Sequence, residues 1–132
     1  GSFLELPLEM GRIVGRSGRV STDPICSDEP AQFASRIGRA GPSRVLVGMQ
    51  GPETSKISIL AFPARGEMDT YVLITAWCGG LAKCEPWDKN IRTEAEREEC
   101  LAFWCREALI WDKEVMGQPF TSSWEEILRD FS

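Results

Sequence analysis

The chain has 132 residues, 42% of them hydrophobic and 27% charged, a composition typical of a globular protein and unlike that of a disordered one. This length suits one domain and is short for two. No apolar stretch is long enough for a membrane-spanning helix and no secretory signal opens the chain, so we expect a cytoplasmic protein that does not associate with membranes.

The start of the chain predicts a short strand, a loop and a second short strand. Residues 1–2, a Gly-Ser pair, are interpreted as a cloning scar, and residues 3–132 are expected to form a single domain. Residues 3–8 alternate apolar and polar side chains and predict a short edge strand, in which Pro7 limits pairing. Three glycines within residues 11–18 predict a loop, followed by a short strand.

The next segment carries the signals of a short helix. Residues 27–30, Ser-Asp-Glu-Pro, combine a capping residue, acidic residues for the first turn and a proline that is tolerated there. Gly38 and the Gly-Pro pair at 41–42 are expected to end this helix. Residues 44–47 then predict a small apolar strand.

The clearest prediction is a β-hairpin at the centre of the chain. Residues 56–62 alternate with period two before becoming continuously apolar, and residues 70–77 form a second β-rich run. The connection at 63–69 contains Pro and Gly, as short hairpin loops do. Because the second run is almost continuously apolar, it is predicted to be a central strand that is buried on both faces.

Two capping signals predict helices in the last third of the chain. Residues 93–96, Thr-Glu-Ala-Glu, form a capping box, and apolar residues recur at helical spacing from Cys100 to Trp111. Glu107, near the end of this helix, is expected to be exposed. Residues 122–125 repeat the capping signal. The elements together predict an α+β domain, with a mainly antiparallel sheet and a central hairpin packed against helices.

Cysteine and histidine usage excludes several functional classes. The five cysteines form no C-x-x-C pair and the chain has no histidine, so neither a metal site nor a cofactor is predicted. We expect free thiols in a reducing cytoplasm. A catalytic triad built on histidine is impossible within this chain, and no phosphate-binding loop or nucleophile elbow is present.

Arginines in the first part of the chain are the main positive signal for function. The segment from Arg12 to Gly48 contains six arginines and three acidic residues, although the whole chain has a net charge of −5. Arg36, Arg39 and Arg44 lie within nine positions, and arginine suits bidentate binding of phosphate. A shared helical face would bring the first two together. The alternative is a solvated surface cluster.

Further candidates lie on and around the hairpin. Thr75 is a hydroxyl in an apolar strand, on the same face as Tyr71, and is predicted either to hold a phosphate or to be a half-buried residue bonded to backbone. Thr54 and Ser55, before the first hairpin strand, are further donors. Trp87, in the Glu-Pro-Trp-Asp sequence at 85–88, would either stack on a base or fill the core.

Two resemblances cover these candidates. Residues 52–60 together with residues 73–77, Leu-Ile-Thr-Ala-Trp, resemble the closing strands of the barnase–EndoU–colicin–RelE-like ribonuclease superfamily. The wider frame from Ala34 to Arg44, with residues 85–88 and the Phe-Trp pair at 103–104, resembles a bacterial protein family of unassigned activity. The first resemblance implies a curved antiparallel sheet and RNA as substrate.

Two functions are therefore predicted as alternatives. The first is a ribonuclease-like or RNA-phosphate-binding domain that works without metal, and its lack of histidine departs from the usual pattern of that superfamily. Its catalytic residues would be Arg44, Thr75 and Arg36. Its substrate-binding residues would be Arg39, Ser43, Thr54, Ser55, Tyr71 and Trp87. The second is a non-catalytic module that contacts a protein partner through the acidic C-terminal half, Glu94, Glu96, Glu98 and Glu99.

Overall fold

The computed structural model describes residues 4–66 and 70–131. These residues form an α+β fold with mainly antiparallel pairing, which confirms the predicted fold class. The elements in chain order are β1 Leu4–Glu9, β2 Gly15–Arg16, β3 Arg19–Ser21, β4 Ala31–Ala34, β5 Ser43–Leu46, β6 Glu53–Thr54, β7 Lys56–Pro63, β8 Tyr71–Cys78, α1 Glu94–Arg106, β9 Glu107–Ile110, β10 Phe120–Ser122 and α2 Trp124–Arg129.

The chain forms two compact units. The first comprises the described residues of Gly1–Gly18 and Gly51–Ala82, here called the hairpin unit, and the second comprises Arg19–Gln50 with the described residues of Lys83–Ser132, here called the helical unit. Within residues 4–66 and 70–131, neither helix is long and apolar enough to cross a membrane.

The hairpin unit contains the predicted hairpin. β7 and β8 pair antiparallel from Ile57–Cys78 to Pro63–Tyr71, and β1 pairs antiparallel with the other edge of β7, so the strand order is β1-β7-β8. The predicted edge strand at the start of the chain is thereby confirmed. β2 and β6 form a separate two-stranded sheet. The predicted hairpin connection lies partly outside the described residues.

The prediction that the second hairpin strand is central and buried is wrong. β8 lies at an edge of its sheet, and seven of its eight residues are exposed. β7 is the central strand instead, because β1 pairs with the free edge of β7 and not with β8. A continuous apolar run is compatible with burial on both faces, but the topology decides whether any element covers it.

The helical unit is built on a five-stranded sheet of order β10-β4-β5-β9-β3, in which only the β5–β9 pair is parallel among the described strands. Its hydrophobic core contains large aromatic side chains. Phe33 on β4 packs edge-on against Trp124 of α2 with ring centroids 4.9 Å apart. Both rings are fully buried, so this contact joins the sheet to the helix.

The helix predicted from residues 27–30 is wrong, since Ala31–Ala34 form strand β4. Phe33 and Ala34 are fully buried, and β4 pairs with β10 on one side and β5 on the other. Pairing with the next strand, β5, and with the distant strand β10 therefore outweighs the local helix-start signal. As a result Arg36 and Arg39 do not share a helical face. Arg36 instead forms an isolated antiparallel β-bridge with Met116.

The capping box is confirmed at the start of α1. Thr93 is the N-cap, and its side chain accepts a hydrogen bond from the Glu96 amide at 3.1 Å. The helix ends at Arg106 and does not continue to Trp111, because the chain enters β9 directly and pairs with β3 and β5. Ser123 caps α2 in the same way.

Candidate functional site

A buried polar cluster in the helical unit joins three side chains from separate segments. Ser43 begins β5 and is fully buried, Glu85 lies in a turn before α1, and Arg36 follows β4. The Ser43 hydroxyl donates to Glu85 Oε1 at 2.6 Å, and Arg36 Nη1 lies 3.4 Å from the Ser43 oxygen. The same arginine nitrogen lies 3.8 Å from Glu85 Oε1. Both partners therefore approach one carboxylate oxygen.

The other carboxylate oxygen, Glu85 Oε2, is buried and has no hydrogen-bond partner among the described residues. Burial raises the pKa of Glu85 from 4.5 to about 7, against the opposing effects of Ser43, Arg36 and Arg39. A carboxyl group in this range exchanges its proton near neutral pH, which is the property a general acid or base requires. Glu85 is only 6% exposed, however, so a substrate has no open approach to it.

The arginines predicted to bind phosphate have different environments. Arg39 is exposed, and its charge acts on both the Glu85 carboxyl and Arg36. Arg36 is partly buried, and burial lowers its pKa, with a smaller contribution from Arg39. These two cations therefore lie close enough to act on the same carboxyl group.

Arg44 belongs to the interior of the helical unit. It is 6% exposed, and its Nη1 donates to Thr22 Oγ1 at 2.9 Å and to the Cys105 carbonyl at 3.1 Å. A third, longer bond of 3.4 Å reaches the Glu107 carbonyl. This guanidinium connects β5 to the end of α1 and the start of β9, and its Nη1 group donates only within the protein in these contacts.

Trp87 fills the core, which is the second of its two predicted roles. It is 7% exposed, donates from Nε1 to the Pro42 carbonyl at 2.7 Å, and stacks on Phe131 at 5.7 Å. A Cβ atom built at Gly41 would lie 2.7 Å from the indole ring. The glycine is therefore required for close approach of the backbone to the ring.

The remaining predicted site residues lie in the hairpin unit. Thr75 and Tyr71 are exposed on β8. Thr54 ends β6, and its hydroxyl accepts a hydrogen bond from the Lys56 amide at 3.1 Å, while the Ser55 hydroxyl lowers the pKa of Glu9 by hydrogen bonding. Thr75 belongs to the hairpin unit and the three arginines belong to the helical unit. Their convergence stays a prediction.

Glu107 is also not the exposed helical residue that the sequence predicts. It is the first residue of β9 and pairs with Arg19 on β3, with Oε1 3.0 Å from Arg19 Nε. Its second oxygen accepts a hydrogen bond from the Ser21 hydroxyl at 2.5 Å. Glu107 therefore joins two adjacent strands.

The exposed strand β8 is the second feature with functional potential. Cross-strand partners share a face of an antiparallel sheet. At three positions of β7, the partner on β1 and the partner on β8 are both apolar, so three apolar rows cross this face of the sheet. These three rows are Leu8–Ile57–Cys78, Leu6–Ile59–Ala76 and Leu4–Ala61–Leu73. The register shifts between Leu60 and Ala61, which leaves Ile74 without an opposite residue in a β-bulge.

No family model, no curated protein and no solved structure matches this chain. The two resemblances noted in the sequence therefore stay predictions. Within the part of the chain that the structure describes, no three His, Cys, Asp or Glu side chains are grouped closely enough to hold a metal ion.

Sequence reasoning missed the role of Glu85 and the exposure of β8. Nothing local marks Glu85 as buried, because its partners Ser43 and Arg36 are more than forty positions away in the chain. No local signal marks β8 as exposed, since its uncharged and almost continuously apolar sequence is the pattern of a buried strand.

Proposed function

We propose that this protein is a protein-interaction module that binds an extended segment of a partner as an added strand along β8. The observation that carries the proposal is the exposure of apolar side chains along this edge. Val72 is 55% exposed, Leu73 61% and Ile74 52%. Exposed runs of apolar residues on a sheet edge are a template for strand addition.

The two edges of the sheet differ in a way that supports this function. β1 contains Pro7, which lacks an amide donor, and the acidic residues Glu5 and Glu9. These are the devices by which proteins prevent pairing at an edge. β8 has neither proline nor charge. The edge that is left open is therefore the more apolar of the two.

This location differs from the acidic surface that the sequence suggested for a protein partner. Glu94, Glu96, Glu98 and Glu99 are exposed on α1. Exposed acidic residues are ordinary on a soluble protein, whereas contiguous exposed apolar residues are not. β8 is for this reason the better supported contact surface.

Selection of short random peptides displayed on phage tests strand addition. The immobilised wild-type chain is expected to enrich peptides with alternating apolar residues and no proline. Ala76→Pro, which places a proline on the exposed strand, is expected to lose binding of those peptides, while Ile37→Lys on the helical unit retains it. Ile37 is 79% exposed and serves as a matched surface control. Equal binding by wild type and Ala76→Pro would contradict the proposal.

A ribonuclease-like or RNA-phosphate-binding function is the second candidate. It is favoured by Arg36 and Arg39, which both act on a carboxyl group whose pKa is about 7. Arg44, which is buried and hydrogen-bonded to backbone, does not support it. The charge of these two arginines suits binding of RNA phosphates, whereas Glu85, at 6% exposed, is too buried to contact a substrate.

Binding of labelled single-stranded RNA, measured by fluorescence anisotropy, tests this second function. We expect binding that weakens steeply between about 20 and about 200 mM salt, because phosphate contacts release counterions. Arg39→Ala should weaken binding, and the exposed Arg92→Ala is the control. Absence of both binding and cleavage at low salt would exclude this function.

A further inference from the structure

We infer that the strand added to β8 is β8 of a second copy of this chain, so that two hairpin units form one continuous six-stranded sheet. This inference rests on the proposed strand-addition function and names its partner. Two copies related by a twofold axis present the same strand in opposite directions, which is antiparallel pairing.

Charge favours a second copy over a charged partner. In a twofold pairing a residue close to the axis lies near its own counterpart, so a charged residue there would face a like charge. β8 contains no charged residue, and the residues at its ends, Thr70, Gly79 and Gly80, are also uncharged. The hairpin unit as a whole has four basic and five acidic residues, so two copies of it repel each other little.

The hydrogen-bonding direction of β8 places the centre of this pairing near Ala76. The Gly79 amide donates to the Lys56 carbonyl at 2.9 Å and thus points toward β7. Backbone groups alternate in direction along an antiparallel strand, so the groups of Trp77 and Thr75 also point to β7 and those of Ala76 point to the open edge. A pair of Ala76 residues at the twofold axis brings small side chains together and leaves the bulge at Ile74 outside the centre.

The hairpin unit also has little apolar burial of its own. Among its described residues, Ala61 is the only apolar side chain that is buried. Leu6, Leu8 and Leu73 on the apolar face of the sheet are each at least 37% exposed. Pairing of two copies along β8 leaves the face of the sheet as it is, but it gives the backbone of the open edge a hydrogen-bonding partner and buries apolar side chains beside that edge.

Sedimentation-velocity centrifugation of the full chain tests this inference. The wild type is expected to change from a 14.7 kDa monomer to a species of twice that mass between about 1 and about 300 μM. Ala76→Pro removes an outward amide without removing a β7–β8 hydrogen bond, and Thr75→Lys adds a charge near the axis. Each is expected to weaken self-association by about tenfold or more. Ile37→Lys should dimerise like the wild type.

The outcomes separate the identity of the partner from the proposed function. A wild-type chain that stays monomeric but binds peptides through β8 overturns the second copy and leaves strand addition intact. A monomer that binds no peptide overturns both. A dimer that persists in Ala76→Pro and in Thr75→Lys, with both variants folded by circular dichroism, shows that self-association uses another surface and overturns the inference.

Discussion

At the scale of single residues, burial separates arginines that look equivalent in the sequence. Arg44 is buried and donates to two carbonyl oxygens and one hydroxyl, whereas Arg39 is exposed. A guanidinium in the first environment stabilises the fold, because its removal takes away several hydrogen bonds made by a charged donor in the interior. One in the second environment is free to meet an anion. Residue type alone does not distinguish the two.

Arg44→Met tests the structural role of this arginine. The variant retains an unbranched apolar stem but removes the donor to Thr22 Oγ1 and one of two donors to the Cys105 carbonyl, which also accepts from the Ile25 amide at 3.0 Å. We expect the free energy of unfolding to fall by about 1–3 kcal/mol, as measured by urea denaturation. Arg39→Met, at an exposed position, should change it by less than about 0.5 kcal/mol. Equal stabilities of the two variants would contradict a structural role for Arg44.

Glu85 is expected to make stability depend on pH. Its pKa is about 7 in the folded protein against 4.5 as the reference value, so the folded state binds the proton more tightly than the unfolded state. The resulting stabilisation is complete below about pH 4.5 and is lost as pH rises through about 7. This difference corresponds to about 3 kcal/mol as an order of magnitude.

Glu85→Gln removes the titrating group and tests this pH dependence. Between about pH 5 and about pH 8, the stability of the wild type should fall relative to the variant, as measured by urea denaturation at each pH. Glu114→Gln, at an exposed carboxyl, is the control and should follow the wild type. Parallel pH profiles for the wild type and Glu85→Gln would show that Glu85 is ionised throughout this range.

At the scale of elements, local signals fix where helices begin, and pairing partners fix where they end or are replaced. Thr93 caps α1 as the sequence predicts, and Ser123 caps α2 one residue later than the predicted capping signal at residues 122–125 places the cap. α1 then ends at Arg106 although the apolar spacing continues, because β9 is held between β3 and β5. The helix signal at residues 27–30 is overruled by the pairing of β4 in the same way.

Thr93→Ala tests the contribution of the α1 cap. The substitution removes the acceptor for the Glu96 amide and should reduce the free energy of unfolding by about 1 kcal/mol. Thr93→Ser retains a hydroxyl and should be close to the wild type. Thermal denaturation followed by circular dichroism measures both, and an unchanged midpoint for Thr93→Ala would indicate that solvent replaces the cap without loss.

At the scale of the whole molecule, charge is unevenly distributed between the two units. The hairpin unit has four basic and five acidic residues, so most of the net charge of −5 belongs to the helical unit. Net charge keeps a protein with exposed apolar surface from associating without specificity. The uncharged edge of β8 therefore depends on the charge of the rest of the chain for solubility.

Aggregation is expected to be greatest where this net charge vanishes. The sequence isoelectric point is about 4.8, so light scattering of concentrated protein should reach its maximum near that pH and decrease toward neutral pH. Thr75→Lys, which adds a charge to the open edge, should lower the scattering at each protein's own isoelectric point. Scattering that is independent of pH would contradict an electrostatic origin of solubility.

The sequence alone determined the α+β class, the hairpin, the early edge strand, the cap of α1 and, to within one residue, the cap of α2, since these follow from the periodicity and capping chemistry of contiguous residues. The tertiary structure decided that β8 lies at an edge, that residues 31–34 form a strand, and that Arg44 and Glu85 are buried. Each of these depends on partners far away in the chain, such as Ser43 for Glu85 and Cys105 for Arg44. Local residue patterns do not specify which distant segments pack together, and this packing decides which side chains are buried.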